Sequence, residues 1–193
     1  MAGRPKIFDD RQAIEKASKL FWKQGYAVTT TEDLMQEMGI QKGSFYHTFD
    51  SKKALFLKAI DLHETNGLIE LTRLLNENDQ PIELLKSIFL NIADCPPDEH
   101  NKGCFAGNTI AELTNIDPEL AHKAQEYLME MENLFFGQIK SSQETGELKT
   151  KTDAKILARY LLNLWNGINI TRRIYPSKKE LIELIEFQLE ILK

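Results

Sequence analysis

The sequence predicts an all-α fold of about nine helices. Apolar residues recur at intervals of three and four along most of the 193-residue chain, which is the period of an amphipathic helix. Capping residues and Gly or Pro bound these segments, as they do where helices begin and end. The sequence shows neither the alternating pattern of a strand nor an internal repeat.

The chain begins with a basic arm and one helix. Arg4 and Lys6 lie beside a glycine and a proline, which argue against regular structure. Such an arm could enter the minor groove of DNA, where arginine is favoured, or it could be a tail without a role. Asp9 or Asp10 can then cap a first helix that ends near Gly25.

A capped second helix and a tight turn follow. The Thr30 hydroxyl can accept a hydrogen bond from a free backbone N–H, and Asp33 can reach back in the manner of a capping box. Gly39 stands where a helix end often adopts a left-handed conformation, and Ile40 can fill the corner behind it. These residues predict two helices joined by a tight turn.

The third helix follows Gln41 and runs to about Thr48. Phe45 and Phe49 are four residues apart and can pack inward on one face. The second helix of a helix-turn-helix lies in the DNA major groove, whereas an ordinary helical hairpin would only present a solvated polar face. The residues predicted to contact DNA through this motif are Thr29, Thr30, Gln41, Lys42, Gly43, Ser44, Tyr46 and His47.

A long fourth helix is expected from Ser51 to about Asn76, with no linker between the turn motif and the rest of the chain. Lys52 and Lys53 fall in its first turn. Cations are unfavourable at a helix N-terminus, so the pair suggests an anionic partner such as a phosphate, and Lys52 joins the predicted DNA contacts.

The remaining helices are expected from Pro81 to near Cys95, from Gly103 to Thr114, from Pro118 to about Thr145, from Asp153 to about Tyr175 and from Pro176 to the C-terminus, with a loop up to about Asn101. The last two are apolar on more than one face. Such helices either form an interface between two chains or complete a large monomer core. A polar strip on the penultimate helix comprises Arg159, Asn163, Asn166, Asn169 and Arg173. It is expected to face solvent, with a place in the dimer interface as the alternative.

The first 60 residues or so resemble the TetR/AcrR family of one-component transcriptional repressors. The matching residues are Phe21, Gly25-Tyr26, Thr29-Thr30, Asp33-Leu34, Gly39-Ile40, Lys42 to His47, Phe49, Ser51-Lys52 and Ala54-Leu55. Met35, Met38 and Gln41 replace the usual alanine-rich second helix and the serine before Lys-Gly. These departures concern packing and capping more than the DNA face.

The resemblance implies a division of labour along the chain. Residues 1–50 would form a helix-turn-helix DNA-binding domain, and residues 51–193 a ligand-binding and dimerisation domain. A homodimer through the last two helices would bind a palindromic double-stranded DNA operator. A small-molecule effector would then release the DNA.

Charge is divided in the same way. Residues 1–58 hold ten Lys and Arg against seven Asp and Glu, a net charge of +3, whereas the other 135 residues hold fourteen against twenty-two, a net charge of −8. A local basic region can sustain phosphate contacts although the whole chain carries −5.

Composition and motifs argue against several other classes of protein. The longest uncharged stretch, Tyr160 to Thr171, is too short to span a membrane, and no signal peptide is evident. The sequence has no phosphate-binding glycine loop, nucleophile elbow or HExxH zinc motif, so we expect no enzyme, metal or cofactor. A helical adaptor that kept the motif for packing is a second rival. Two cysteines nine residues apart fit a reduced cytoplasm.

Polar residues on otherwise apolar stripes of the C-terminal part predict a ligand cavity, because such cavities combine apolar walls with a few polar groups. The residues expected to line it are His63, Phe89, Phe105, Asn108, Glu112, Tyr127, Phe135 and Trp165.

An alternative places the sensor at Cys104. Lys102 is close to it in sequence and could lower the pKa of the thiol, which would make a redox- or electrophile-reactive cysteine. The simpler interpretation is an inert buried thiol, since free cysteine is often a core residue.

Overall fold

The computed structural model describes residues 9–175 and 177–193, and the predicted arm contacts Arg4 and Lys6 lie outside them. Within those residues the fold is all-α, as predicted, with nine helices of eight residues or more and one of four. The helices are α1 Asp10–Gln24, α2 Thr31–Met38, α3 Lys42–Phe49, α4 Lys52–Asn76, α5 Pro81–Asn91, α6 Pro97–His100, α7 Phe105–Leu113, α8 Pro118–Thr145, α9 Ala154–Thr171 and α10 Lys178–Leu189.

Side-chain caps account for where the helices begin. Asp9 caps α1, Thr30 and Asp33 form a complete capping box on α2, and Ser51 accepts a hydrogen bond from the Ala54 amide on α4. Asp117, Asp153 and Ser177 cap α8, α9 and α10 in the same way. These starts agree with the boundaries predicted from the sequence, because capping depends on residues only a few positions apart.

Three boundaries differ from the prediction. The expected loop after Cys95 contains the four-residue α6, whose first residue, Pro97, has a backbone suited to a helix start. Helix α7 begins two residues later than expected, because Gly103 has a φ of 71° and Cys104 acts as the N-cap. The penultimate helix ends at Thr171 and tightens into a 3-10 turn over Arg172–Ile174.

The helix-turn-helix packs around aromatic side chains. Gly39 takes the left-handed conformation with φ 71°, and Ile40 is buried beside it. Phe21, Phe45 and Phe49 are almost fully buried in the core that α1, α3 and α4 share. The Phe21 ring meets Phe56 of α4 edge-on, with 4.9 Å between ring centroids. Helix α4 therefore continues the packing of the motif into the rest of the molecule.

The rest of the molecule is a helical body built on α8. Helices α7 and α9 pack along it, α4 crosses it, and α10 packs against α5. Leu128, Phe135 and Leu161 are among the buried residues where these helices meet. The body contains a partly open cavity between α4, α5, α7, α8 and α9.

Helices α9 and α10, with the 3-10 turns Arg172–Ile174 and Glu190–Leu192 that follow them, bury one face and leave apolar side chains exposed. Phe187 is 75% exposed and Ile174 is 74% exposed, and Ile156, Ile170 and Ile191 are exposed as well. Side chains of this kind normally lie inside a protein or an interface. No helix within the described ranges is long and apolar enough to cross a membrane.

Candidate functional site

Helix α3 presents a polar surface. The residues Gln41, Lys42, Gly43, Ser44, Tyr46 and His47 are all exposed, whereas Phe45 and Phe49 on the inner face are buried. The Tyr46 ring packs edge-on against Phe45, with 5.1 Å between ring centroids, and this contact restrains the position of the Tyr46 hydroxyl. Six predicted DNA contacts thus share one exposed element with an inner face anchored in the core.

Two other predicted contacts, Thr30 and Thr29, differ in their surroundings. Thr30 is exposed, but its hydroxyl is engaged in the cap: it accepts from the Asp33 amide at 3.1 Å and donates to Asp33 Oδ2 at 2.7 Å. The hydroxyl, together with the Thr30 backbone amide that donates to the same Oδ2 at 2.9 Å, holds the pKa of Asp33 below its usual value. Thr29 is fully buried and donates its hydroxyl to the Gly25 carbonyl at 2.6 Å. The prediction that the Thr29 side chain contacts DNA is therefore wrong, because the side chain faces the core.

Lys52 has partners inside the protein. Its Nζ donates to the carbonyl oxygens of Tyr26 and Thr29, both at 3.0 Å, and lies 4.3 Å from the centroid of the Tyr26 ring. Lys53 pairs with Asp117 and Glu119 at 2.8 Å each. The two positive charges that suggested a phosphate at the start of α4 thus already have partners within the protein. A DNA contact by Lys52 remains a prediction.

Glu112 of α7 joins the body to the loop between α1 and α2. Its carboxylate accepts hydrogen bonds from the backbone amides of Tyr26 at 3.0 Å and Ala27 at 2.7 Å. A side chain at Gly25, where φ is 88°, would place its Cβ 2.9 Å from Glu112 Oε2, so the close approach requires glycine. These partners are 85 and 86 positions apart in the chain, and no local pattern reveals them.

An outer cleft of about 460 Å³ lies between the end of α1 and α7. Asn108, Glu112 and Phe105 line it, as does Arg173. The Asn108 amide donates to the Lys102 carbonyl at 2.6 Å, and Glu112 holds the α1–α2 loop. Two of the polar residues predicted for the ligand cavity, Asn108 and Glu112, therefore already have partners within the protein.

A second space of about 310 Å³, called the inner cavity here, adjoins this cleft and shares Trp22 and Phe105 with it. Four residues predicted for the ligand site, His63, Phe105, Tyr127 and Trp165, lie on its wall. The sequence-based interpretation missed other lining residues, among them Trp22, Glu64, Cys95, Asn169 and Arg172.

Three expectations about side-chain position need correction. Phe89 and Phe135 are buried in the core and line neither the inner cavity nor the outer cleft; Phe89 packs edge-on against Trp165 with centroids 5.9 Å apart. Asn169, expected to face solvent, is buried and donates to the Trp165 carbonyl at 2.9 Å. Helical periodicity does not distinguish a wall residue from a core residue, because both point inward.

The inner cavity holds a buried acid. Glu64 is 7% exposed, and burial raises the pKa of its carboxyl group to about 8, although the Tyr127 hydroxyl and Ala106 amide nearby partly offset this. Its Oε1 has no hydrogen-bond partner. Burial and then the charge of Lys102 lower the pKa of His63 on the same wall. Both groups therefore favour their neutral forms.

Arg172 supplies a buried cation to the same cavity. It is 5% exposed, and burial lowers the pKa of its guanidinium. Nη1 donates to Cys95 Sγ at 3.2 Å, Nη2 donates to the Glu99 carbonyl at 3.0 Å, and Nε has no partner. None of these acceptors is a carboxylate.

Cys104 does not have the electrostatic surroundings of a reactive thiol. Burial, followed by the nearby Glu64 carboxyl group, raises the pKa of Cys104, whereas the hypothesis of a reactive thiol requires a lowered pKa. Lys102, the expected activating cation, lies over the Trp22 ring instead, 5.1 Å from its centroid. The described residues also contain no group of His, Cys, Asp and Glu arranged to hold a metal ion.

The fold and the exposed α3 surface define a helix-turn-helix DNA-binding protein with a helical body. The model for bacterial regulatory proteins of the tetR family matches residues 13–59, and the model for the tetracyclin repressor-like C-terminal domain matches residues 81–186. The chain belongs to the TetR family of transcriptional regulators. It is a DNA-binding regulator rather than an enzyme.

Relatives extend over nearly the whole chain. The uncharacterized HTH-type transcriptional regulator YezE of Bacillus subtilis (strain 168) is 27% identical over 192 residues, covering 98% of this chain and 99% of its own. The HTH-type transcriptional repressor ComR of Escherichia coli (strain K12) is 28% identical over 184 residues, covering 94% and 88%.

Solved structures share the fold at lower identity. A cysteine mutant of the TetR family regulator CifR, complexed with 26-bp operator DNA, has a TM-score of 0.87 at 22% identity and covers 99% of this chain and 100% of its own. The reduced form of E. coli NemR has a TM-score of 0.83 at 19% identity, covering 94% and 95%. These likenesses establish the architecture of both parts of the molecule.

Proposed function

We propose that this chain is a ligand-responsive transcriptional repressor that binds a palindromic DNA operator as a homodimer in the cytoplasm. The observation that carries the proposal is the exposed α3 surface, with Ser44, Tyr46 and His47 on a helix anchored by buried phenylalanines. Two relatives, ComR and DhaR, are HTH-type transcriptional repressors, and the CifR structure contains operator DNA. The division at residue 50 between a DNA-binding domain and a ligand-binding domain belongs to this proposal.

The exposed apolar side chains of α9 and α10 support a homodimer through these helices. Ile170, Ile174 and Phe187 would leave water if two copies packed their last helices together. A twofold axis would present two α3 helices to successive major grooves of a palindrome. A single recognition helix binds weakly against genomic competition, so the dimer supplies needed affinity.

The contact at Glu112 supports a route from cavity to DNA. The first turn of α7 carries Phe105 on the inner cavity wall, and its later part carries Glu112, which holds the α1–α2 loop. Helix α4 offers a second route, because His63 and Glu64 line the cavity and Ser51 begins the same helix next to α3. A ligand that favours one arrangement of α4 and α7 would change the separation of the two recognition helices.

The test is a gel shift with the DNA flanking the gene of this protein. Saturable binding that is lost when one half of a palindrome is scrambled is the expected result. Phe187→Glu should convert the dimer to a monomer by size-exclusion chromatography with light scattering and weaken DNA binding, since it places a charge in the proposed interface. Glu186→Lys, an exposed change on a different face of the same helix, is the control for altered charge. Binding indifferent to half-site symmetry, or a wild-type monomer, would reject the dimeric repressor.

A further inference from the structure

Arg172 is a buried cation without a directly hydrogen-bonded carboxylate among the described residues, although the charge of Glu99 on the same cavity wall attracts it at longer range. Its three hydrogen-bonding nitrogens meet a thiol at Cys95, a backbone carbonyl at Glu99 and, at Nε, nothing. A charge removed from water costs several kcal/mol unless it is paired, which is why buried cations normally lie beside carboxylates. The guanidinium therefore keeps one free donor, Nε–H, and lacks the directly bonded carboxylate that such a position calls for.

The surroundings of the cavity reinforce a preference for an anion. Arg173 lies next in sequence and lines the adjoining outer cleft, and Lys102 lies over the Trp22 ring, where its charge reaches His63. The acid inside the cavity, Glu64, keeps its proton at neutral pH because burial raises its pKa to about 8. Glu99 is the other acid on the cavity wall, and the cations in and around the cavity, Arg172, Arg173 and Lys102, outnumber it.

The cavity wall also carries four aromatic side chains. Trp22, Phe105, Tyr127 and Trp165 all line the 310 Å³ space, which suits a flat ring with a short polar substituent. The Trp165 indole N–H has only the Cys104 thiol, a weak acceptor, beside it. Ring stacking on these walls would position a polar substituent among the unpartnered groups.

We propose that the effector of the inner cavity is a small aromatic carboxylic acid, bound as its anion, whose carboxylate pairs with Arg172 and whose ring lies among the aromatic side chains. This inference rests on the proposed function, in which the body binds an effector. A guanidinium and a carboxylate form short, charge-assisted hydrogen bonds, and the free Nε–H of Arg172 is available for one. The protonated Glu64 carboxyl group and the indole N–H can donate to the same anion.

The first experiment varies only the charge of the ligand. Calorimetric titration of the wild-type protein at neutral pH compares 1-naphthoate, 1-naphthamide and 1-naphthylmethylamine, which share one ring system and differ in the substituent. We expect naphthoate to bind about tenfold more tightly than the amide, and the cationic amine to bind most weakly. Equal or tighter binding of the amide or the amine, or the absence of binding by all three, would overturn the proposal.

The second experiment varies the receptor. Arg172→Gln should weaken naphthoate binding by roughly tenfold or more and leave the affinity for the neutral amide nearly unchanged, whereas Arg172→Lys should retain an intermediate affinity. Arg159→Gln removes the same charge from an exposed position on α9, paired with Glu132 and outside both cavities, and should change nothing. Loss of naphthoate binding in Arg159→Gln, or its retention in Arg172→Gln, would contradict the assignment. Circular dichroism of each variant shows that it is folded, and the charge series on the wild-type protein needs no variant.

Failure of this inference and failure of the proposed function are separable. Binding is measured without DNA, and release is measured by adding naphthoate to the gel shift. Binding of naphthoate without DNA release would leave the carboxylate site intact and count against ligand-responsive repression. DNA binding that is retained while naphthoate fails to bind would overturn the carboxylate site alone.

Discussion

The helix-turn-helix and the inner cavity treat buried polar groups in opposite ways. Between residues 25 and 53 no buried side-chain nitrogen or oxygen lacks a hydrogen-bond partner: Thr29 donates to a carbonyl and Lys52 to two. In the cavity, Glu64 Oε1 and Arg172 Nε are buried and unpartnered. An unmet buried polar group costs stability, and such costs persist at sites whose partner arrives from outside. The first region is complete without its ligand, and the second is not.

The largest predicted effect concerns the stability that the protein loses when the buried Glu64 carboxyl group ionises. Burial raises its pKa from 4.5 to about 8, so between these values the folded protein holds a proton that the unfolded chain has released. Its contribution to the free energy of unfolding is therefore highest on the acid side and falls as pH rises to about 8. Glu64→Gln removes this loss. Its stability relative to wild type should rise by on the order of 3–5 kcal/mol between about pH 5 and about pH 9, measured by urea unfolding.

The control for this prediction is Glu144→Gln, an exposed position on α8. Tyr127 on α8 and Cys104 at the start of α7 face Glu64, and both have raised pKa values, so neither ionises before Glu64 as the pH rises. If wild type and Glu64→Gln showed the same dependence of unfolding free energy on pH, the Glu64 carboxyl group would have to be solvated or hydrogen-bonded in the folded protein. The inner cavity would then not differ from the helix-turn-helix in this respect.

On α3, by contrast, substitutions are expected to weaken DNA binding and to leave the free energy of unfolding nearly unchanged. Ser44→Ala and Tyr46→Ala should each weaken operator binding by about 1–3 kcal/mol if the residue contacts a base edge, yet change the free energy of unfolding by less than about 0.5 kcal/mol, since both side chains are exposed. Tyr46→Phe keeps the ring that packs on Phe45 and tests the hydroxyl alone. Glu37→Ala, an exposed change on α2, is the control. A large loss of stability in Ser44→Ala would show that this face is structural.

The two regions also differ in how far their residues lie apart in the chain, and this decides what sequence can predict. The capping box of Thr30 and Asp33, the left-handed Gly39 and the inward pair Phe45 and Phe49 all depend on neighbours within four positions. Nearly all helix boundaries follow from such local signals. The exposed polar face of α3 follows from them as well.

The cavity depends on neighbours far away. Arg172 reaches Cys95 across 77 positions, and Trp22 donates to the Gly103 carbonyl across 81. Local patterns marked aromatic residues as inward-facing, and His63, Phe105, Tyr127 and Trp165 do line the cavity. They did not mark Glu64 or Arg172, because a charged residue in a helix is usually solvated and nothing local shows that another helix covers it.

A smaller effect is expected where the two regions meet, at Glu112. Glu112→Gln keeps one acceptor and loses the charge, so one of the two bonds to the α1–α2 loop should weaken, costing about 1–2 kcal/mol of stability. Hydrogen exchange should show faster exchange at the Tyr26 and Ala27 amides, with little change elsewhere. Asn108→Ala, one turn earlier on α7, is the control and should leave those amides protected. Unchanged exchange in Glu112→Gln would mean that the two regions are coupled through α4 alone.

The smallest effect concerns Lys52, where the sequence-based prediction and the structure suggest different roles. If its main partners are the Tyr26 and Thr29 carbonyls, Lys52→Met should lower the free energy of unfolding by about 1 kcal/mol, because two acceptors lose a charged donor. If its main partner is a DNA phosphate, stability should hold, while binding to every DNA sequence weakens and its salt dependence flattens. Lys58→Met, at an exposed position six residues further along α4, is the control for the loss of one positive charge. Urea unfolding, together with DNA binding at two salt concentrations, separates the two outcomes. An effect on the salt dependence alone would mean that the main partner of Lys52 is a DNA phosphate rather than a group of the protein.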